Sequence, residues 1–173
     1  ICPGQPIRRT NLNGKTVTID AIATKIASLI TLLGNRNYPI IILVDRENRD
    51  DDSETLSNQL RLKLHELGHH DQDLRIGFPD RMIENWILGD FEKIGELKDK
   101  PESTDGCKGS SIIKKHLGSY SKVTDGVELL LSKNCKIVYQ NSPSYKSFID
   151  KLEGIDCEYL NFEKMLLSLD SMA

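Results

Sequence analysis

The chain reads as an α/β domain, a mainly parallel sheet with helices on both faces. Three observations lead there. Ile40-Ile41-Ile42-Leu43-Val44 is an unbroken run of branched apolar residues that stops at Asp45, the pattern of a strand buried on both faces. Leu56, Leu60, Leu64 and Leu67 then recur at helical spacing, and a second apolar run, Leu74-Arg75-Ile76-Gly77-Phe78, follows them. Strand, helix and strand in that order imply a right-handed parallel crossover.

The elements follow in chain order. Residues 1–18 hold Pro3, Gly4, Pro6, Asn11, Asn13 and Gly14 and read as a connector, with a short hairpin around Asn13-Gly14. Ile22, Ile26, Leu29, Ile30 and Leu33 mark a first helix, with Gly34 as its C-cap. The central strand, Ile40–Val44, comes next. Asp51 reads as the N-cap of the second helix, with Glu54 completing a capping box and Gly68 ending the helix. Pro79-Asp80 opens a third helix, from Arg81 to about Gly89. The polar stretch from Lys98 to Gly109 reads as a mobile lid or an insertion point. Short helices are expected over Ser111–Leu117, Val123–Ser132 and Ser144–Leu152, then a strand at Cys157–Leu160 and a helix at Phe162–Leu169. Residues 1–153 make one domain and residues 154–173 an extension packed on it.

The chain has 173 residues, 38% hydrophobic and 28% charged, enough for one compact core. A net charge of −3 gives no global basic footprint, so any nucleic-acid contact must use a local patch. Cys2, Cys107, Cys135 and Cys157 are scattered without CxxC spacing, which argues against a zinc site and suits the reduced thiols of a cytoplasmic protein. No apolar run approaches membrane-spanning length, so no membrane partner is expected.

The chemistry concentrates where the first strand ends. Ligands bind beyond the carboxyl ends of the strands of open α/β sheets. Asp45 and Glu47, two apart, offer hard oxygen ligands of the kind Mg²⁺ prefers. A solvated charged loop that caps the next helix suits the same residues equally. Glu84, near the start of the third helix, would face the same sheet edge; alone it reads as a carboxylate at the positive end of a helix dipole. Asp90 reads as a cap for the segment beginning at Phe91. Ser142 reads as an N-cap with Pro143 at the first helical position, and with Lys146 it also suits a phosphate. Gly68-His69-His70-Asp71 reads as a solvated turn.

Asp45-Arg46-Glu47, the run Glu84-Asn85-Trp86-Ile87-Leu88-Gly89-Asp90 and the later Ser142-Pro143-Ser144-Tyr145 together resemble the DUF4276 family of Toprim-like proteins, over roughly residues 7–152. The resemblance implies a Toprim-like, Rossmann-like fold, the metal-dependent catalytic domain of topoisomerases, primases and antiphage nucleases. It implies a nuclease or phosphodiesterase acting on DNA or RNA with Mg²⁺ or Mn²⁺, working in bacterial antiviral defence, with a partner protein of a defence system. Asp45, Glu47 and Glu84 would be the catalytic and metal-binding residues. Arg46, Arg49, Ser142 and Lys146 would contact nucleic acid. The family's first strand, which ends in an essential glutamate, has no counterpart here, and Asp45-x-Glu47 stands for the usual Asp-x-Asp. Either the first strand and helix lie upstream of Ile1, or the domain is a non-catalytic interaction module.

Overall fold

The structure is a computed structural model that describes residues 17–34, 39–95 and 101–155. The expected hairpin at Asn13-Gly14, the strand at Cys157–Leu160 and the helix at Phe162–Leu169 lie outside the described residues. The described elements run α1 (Ile19–Leu33), β1 (Ile40–Leu43), α2 (Ser53–Glu66), β2 (Leu74–Gly77), α3 (Glu84–Leu88), a 3₁₀ turn (Phe91–Lys93), α4 (Gly109–Leu117), α5 (Asp125–Leu131), α6 (Cys135–Asn141) and α7 (Pro143–Asp150). Among them no helix is long and apolar enough to cross a membrane.

Local chemistry sets the ends of these elements. Thr18 caps α1 by accepting the Ala21 N–H, and Gly34, at φ 72°, donates to Ile30 and Thr31 carbonyls and stops it. Asp52 rather than Asp51 caps α2, accepting the Thr55 N–H at 2.7 Å. Glu54 does not complete a capping box; it reaches across to Lys151 at 2.7 Å and to the Ser147 hydroxyl. α3 starts at Glu84 rather than Arg81, because Arg81 has φ 62°, which no helix accommodates.

β1 and β2 pair in parallel, with Ile40 opposite Leu74 and Leu43 opposite Gly77. One face carries Ile42, Leu74 and Ile76, which pack under α1 and α2 with Ile22, Ala23, Ile30, Leu56, Leu60 and Leu64. The other face of β2 is covered by α7. A Cβ on Gly77 would lie 2.4 Å from the Phe148 ring, so only glycine lets α7 approach this closely. The expectation of a central strand buried on both faces is corrected here. Among the described residues the sheet has two strands, both of them edges, and Ile41 and Leu43 are 42% and 44% exposed. α7 covers the β2 half of that face and leaves the β1 half open.

Two smaller cores complete the packing. Ile87, Leu88, Phe91, Ile94 and Ile113 join α3 to α4. Trp86, Val138 and Phe148 join α3 to α6 and α7, with Trp86 stacked on Phe148 at 5.5 Å and edge-on to Tyr145 at 5.2 Å.

Candidate functional site

The site grows from the ends of the two strands. Beyond the ladder the chains stay bonded: Val44 N–H donates to Gly77, Arg46 N–H to Pro79 and Glu47 N–H to Arg81 at 2.7 Å. Both partners in the last contact are left-handed, Glu47 at φ 58° and Arg81 at φ 62°. This extended pairing sets residues 45–47 beside residues 79–84. Asp45 Oδ1 accepts the Ile83 N–H at 2.9 Å and so caps the entry to α3 from another strand.

Burial, joined by the charges of Glu84 and Glu47, pushes the Asp45 carboxyl up to about 6 against the pull of the Ile83 N–H and Lys122. Asp45 and Glu84 thus share one electrostatic neighbourhood, with Glu47 at its margin. Glu84 is 1% exposed. Its Oε1 accepts from the Tyr120 hydroxyl at 3.3 Å and pairs with Lys122 Nζ at 3.0 Å. Its Oε2 is buried and has no partner among the described residues. Burial favours the neutral Lys122 amine, but Glu84, Asp45 and Glu47 outweigh it and raise the ammonium's pKa. Burial, then Glu84, holds the Tyr120 phenol in its protonated form. Among the described residues no three acidic, histidine or cysteine side chains form a ready-made metal cage.

Tyr120 and Lys122 were not expected at this site. They stand 36 and 38 residues beyond Glu84, in a polar segment with no motif of its own, and only the packing of α5 on α3 brings them there.

Arg46, Arg49 and Ser142, three of the four expected nucleic-acid contacts, are engaged within the protein. Arg46 forms an ion pair with Asp80 and donates to the Arg49 carbonyl at 2.5 Å. Arg49 donates to the carbonyls of Asp45, Arg46 and Val17. Both guanidinium groups therefore clamp the loop after β1, a role their planar fork of donors suits. Ser142 is fully buried and gives its hydroxyl proton to Asp105 at 2.9 Å. Asp105 also accepts from the Ser144 N–H at 2.8 Å and the Ser144 hydroxyl at 2.9 Å. An internal carboxylate thus fills the N-terminus of α7 where a phosphate was expected, and burial raises its pKa. Lys146 is exposed, its ammonium 5.4 Å from the centre of the Tyr139 ring.

Asp105 also belongs to the segment expected as a lid or insertion point, of which residues 98–100 lie outside the described residues. Residues 101–109 are tied down: Thr104 bonds the Asn141 carbonyl, Gly106 N–H donates to the Asp80 carboxylate, and Arg81 donates to the Gly106 carbonyl at 2.8 Å. Fully buried Asn85 stitches Asp80, Cys107 and Gly109 together. A Cβ on Gly109 would sit 2.5 Å from Asn85 Oδ1 and 2.8 Å from the Glu84 carbonyl carbon, so glycine is required for α4 to press on α3. Asp90 stands at the N-cap position of the 3₁₀ turn that begins at Phe91, as expected, and its carbonyl accepts the Lys93 N–H, but its side chain makes no capping bond there. Asp90 is buried, and its carboxylate and carbonyl accept from Asn134 N–H and Lys133 Nζ, ordering the entry to α6. Burial lowers the Lys133 ammonium to about 8, against the pull of Asp90. The two widely separated motifs do meet, since Trp86 Nε1–H donates to the Ser144 hydroxyl at 2.9 Å.

Compared with known protein families, curated proteins and solved structures, the chain matches none.

Proposed function

We propose that Asp45, Glu47 and Glu84 form the divalent-cation site of a phosphodiesterase acting on DNA or RNA, in a Toprim-like domain of a bacterial antiviral system. The observation that carries this reading is Glu84. A carboxylate so deeply buried is unfavourable unless cations and donors meet both oxygens, and Oε2 has none among the described residues. The donor set is all carboxylate oxygen, which suits Mg²⁺ or Mn²⁺. Position supports it too, at the carboxyl end of a parallel pair. A nucleic-acid substrate is what the resemblance of Asp45–Glu47, Glu84–Asp90 and Ser142–Tyr145 implies.

When bound, the metal would supply Lewis-acid stabilisation of charge on a phosphate. The chain's own contribution is orientation. Ile83 N–H fixes Asp45, Tyr120 and Lys122 fix Glu84, and Arg46 and Arg49 hold the loop that presents Glu47.

A second reading is a non-catalytic interaction module. It is favoured by Lys122, which already neutralises Glu84, and by the lack of a ready-made cage among the described residues. Calorimetric titration with Mn²⁺, paired with a cleavage assay on single- and double-stranded DNA and RNA, separates the two. Metal-dependent cleavage that falls roughly a hundredfold or more in Asp45→Ala supports the enzyme. Undiminished cleavage in an Asp45→Ala, Glu47→Ala double variant refutes it, and absence of metal binding leaves the interaction module.

A further inference from the structure

We infer that Lys122 is a tethered counter-ion whose ammonium holds the place a divalent cation takes, so that Lys122 and the metal exclude one another. The inference rests on the cation-site reading and describes how that site is regulated. Its basis is an asymmetric pair. Glu84 is 1% exposed and cannot leave, whereas the Lys122 side chain is 56% exposed and can swing outward on its four-carbon stem. The Nζ sits 3.0 Å from Glu84 Oε1, and the ammonium is also attracted by Asp45 and Glu47, the other two carboxylates of the site.

The backbone around Lys122 is built to stay while the side chain moves. Ser121 N–H donates to the Asp125 carboxylate at 2.7 Å, and Gly126 N–H donates to the Ser121 carbonyl at 3.1 Å. Tyr120 anchors the same segment to Glu84 through its hydroxyl. A Cβ on Gly126 would lie 2.8 Å from that hydroxyl, so the start of α5 is cut away to admit it. Without metal, Glu84 needs a cation, and Lys122 provides it. With metal present at the unpartnered Oε2, two cations meet on one carboxylate, and like charges at that range repel. Metal affinity is therefore lowered by the strength of the Lys122–Glu84 pair.

The test uses the full chain and the metal alone. Mn²⁺ is titrated calorimetrically into the wild type, Lys122→Met and Lys122→Gln, the last keeping a hydrogen-bond donor for Glu84 should the methionine variant fail to fold. In parallel, the acetylation rate of Lys122 in the wild type is followed by peptide mass spectrometry with and without saturating Mg²⁺, with Lys146 as the internal reference. We expect roughly tenfold or greater tightening of Mn²⁺ in the variants and faster acetylation of Lys122, but not of Lys146, when metal binds. Equal or weaker affinity in the variants, with acetylation of Lys122 unchanged by bound metal, overturns the counter-ion and leaves the metal site standing. No binding to any of the three proteins overturns both.

Discussion

Ser144 receives the indole N–H of Trp86 at 2.9 Å and the backbone N–H of Asp80 at 3.2 Å, and passes its own proton to Asp105. One hydroxyl thus connects α3, the turn after β2, the 101–109 segment and α7. Ser144→Ala removes the acceptor of two donors and one donor to a half-buried carboxylate. It should destabilise by roughly 2–3 kcal/mol. Trp86→Phe keeps the ring contacts but loses the N–H and should lose less than Trp86→Ala. Denaturant unfolding with unchanged slope is the check.

Asp45 makes stability depend on pH. Its ordinary pKa of 3.8 is raised to about 6 in the folded state. A raised pKa means the folded protein binds the proton more tightly than the unfolded chain. The stabilisation is complete below about pH 4 and is lost as pH rises through about 6, an effect on the order of 3 kcal/mol. Asp105 shifts in the same direction, so the wild type alone does not isolate Asp45. Asp45→Asn keeps an oxygen for the Ile83 N–H. It should match the wild type near pH 4 and exceed it above pH 6 in metal-free buffer. Thermal melts of both proteins across that range would show parallel curves if Asp45 is not responsible.

Gly77 and Phe148 are coupled by contact. Gly77→Ala drives a methyl into the Phe148 ring and should destabilise by about 1–3 kcal/mol. Adding Phe148→Leu should recover part of that loss. A double-mutant cycle with no coupling energy would mean that α7 does not seat on β2 through this pair.

Arg49 holds the loop after β1. Arg49→Gln removes donors to the Asp45, Arg46 and Val17 carbonyls and should lower stability by roughly 1–3 kcal/mol. If the protein binds nucleic acid, the salt dependence of binding should keep its slope in this variant. A slope reduced by about one would make Arg49 a phosphate contact instead.

Much of the frame was legible from residues close together in sequence. The leucine stripe of α2, the Gly34 cap, the parallel β1–β2 pair and the Ser142-Pro143 start of α7 each follow from local rules. α6 was missed because it buries only Val138, too little to make a periodic stripe. Its signal was Asn134, which caps Lys136 and Ile137 N–H groups. The β1 run misled for a different reason. Five apolar residues record an apolar surrounding but not its extent, and a strand covered on one face by α1 and α2 has the same letters. The resemblance gave Arg46 and Arg49 a role at nucleic acid; that they clamp the loop after β1 depends on carbonyls that no pattern displays. Asp105 and Lys122 act on residues far from them in sequence, so nothing local marked either.

The left-handed backbone of Glu47 places position 47 under two opposed selections. Outside glycine, that conformation is disfavoured by roughly 1–2 kcal/mol, and asparagine tolerates it better than glutamate. A library of variants at this position sorted for thermal resistance alone should therefore drift to glycine or asparagine, while one sorted for the native role should return to an acid. Divergence between the two pools would mark a residue that the lineage keeps against the preference of its own backbone; convergence on the same side chains would mark one held only by the turn.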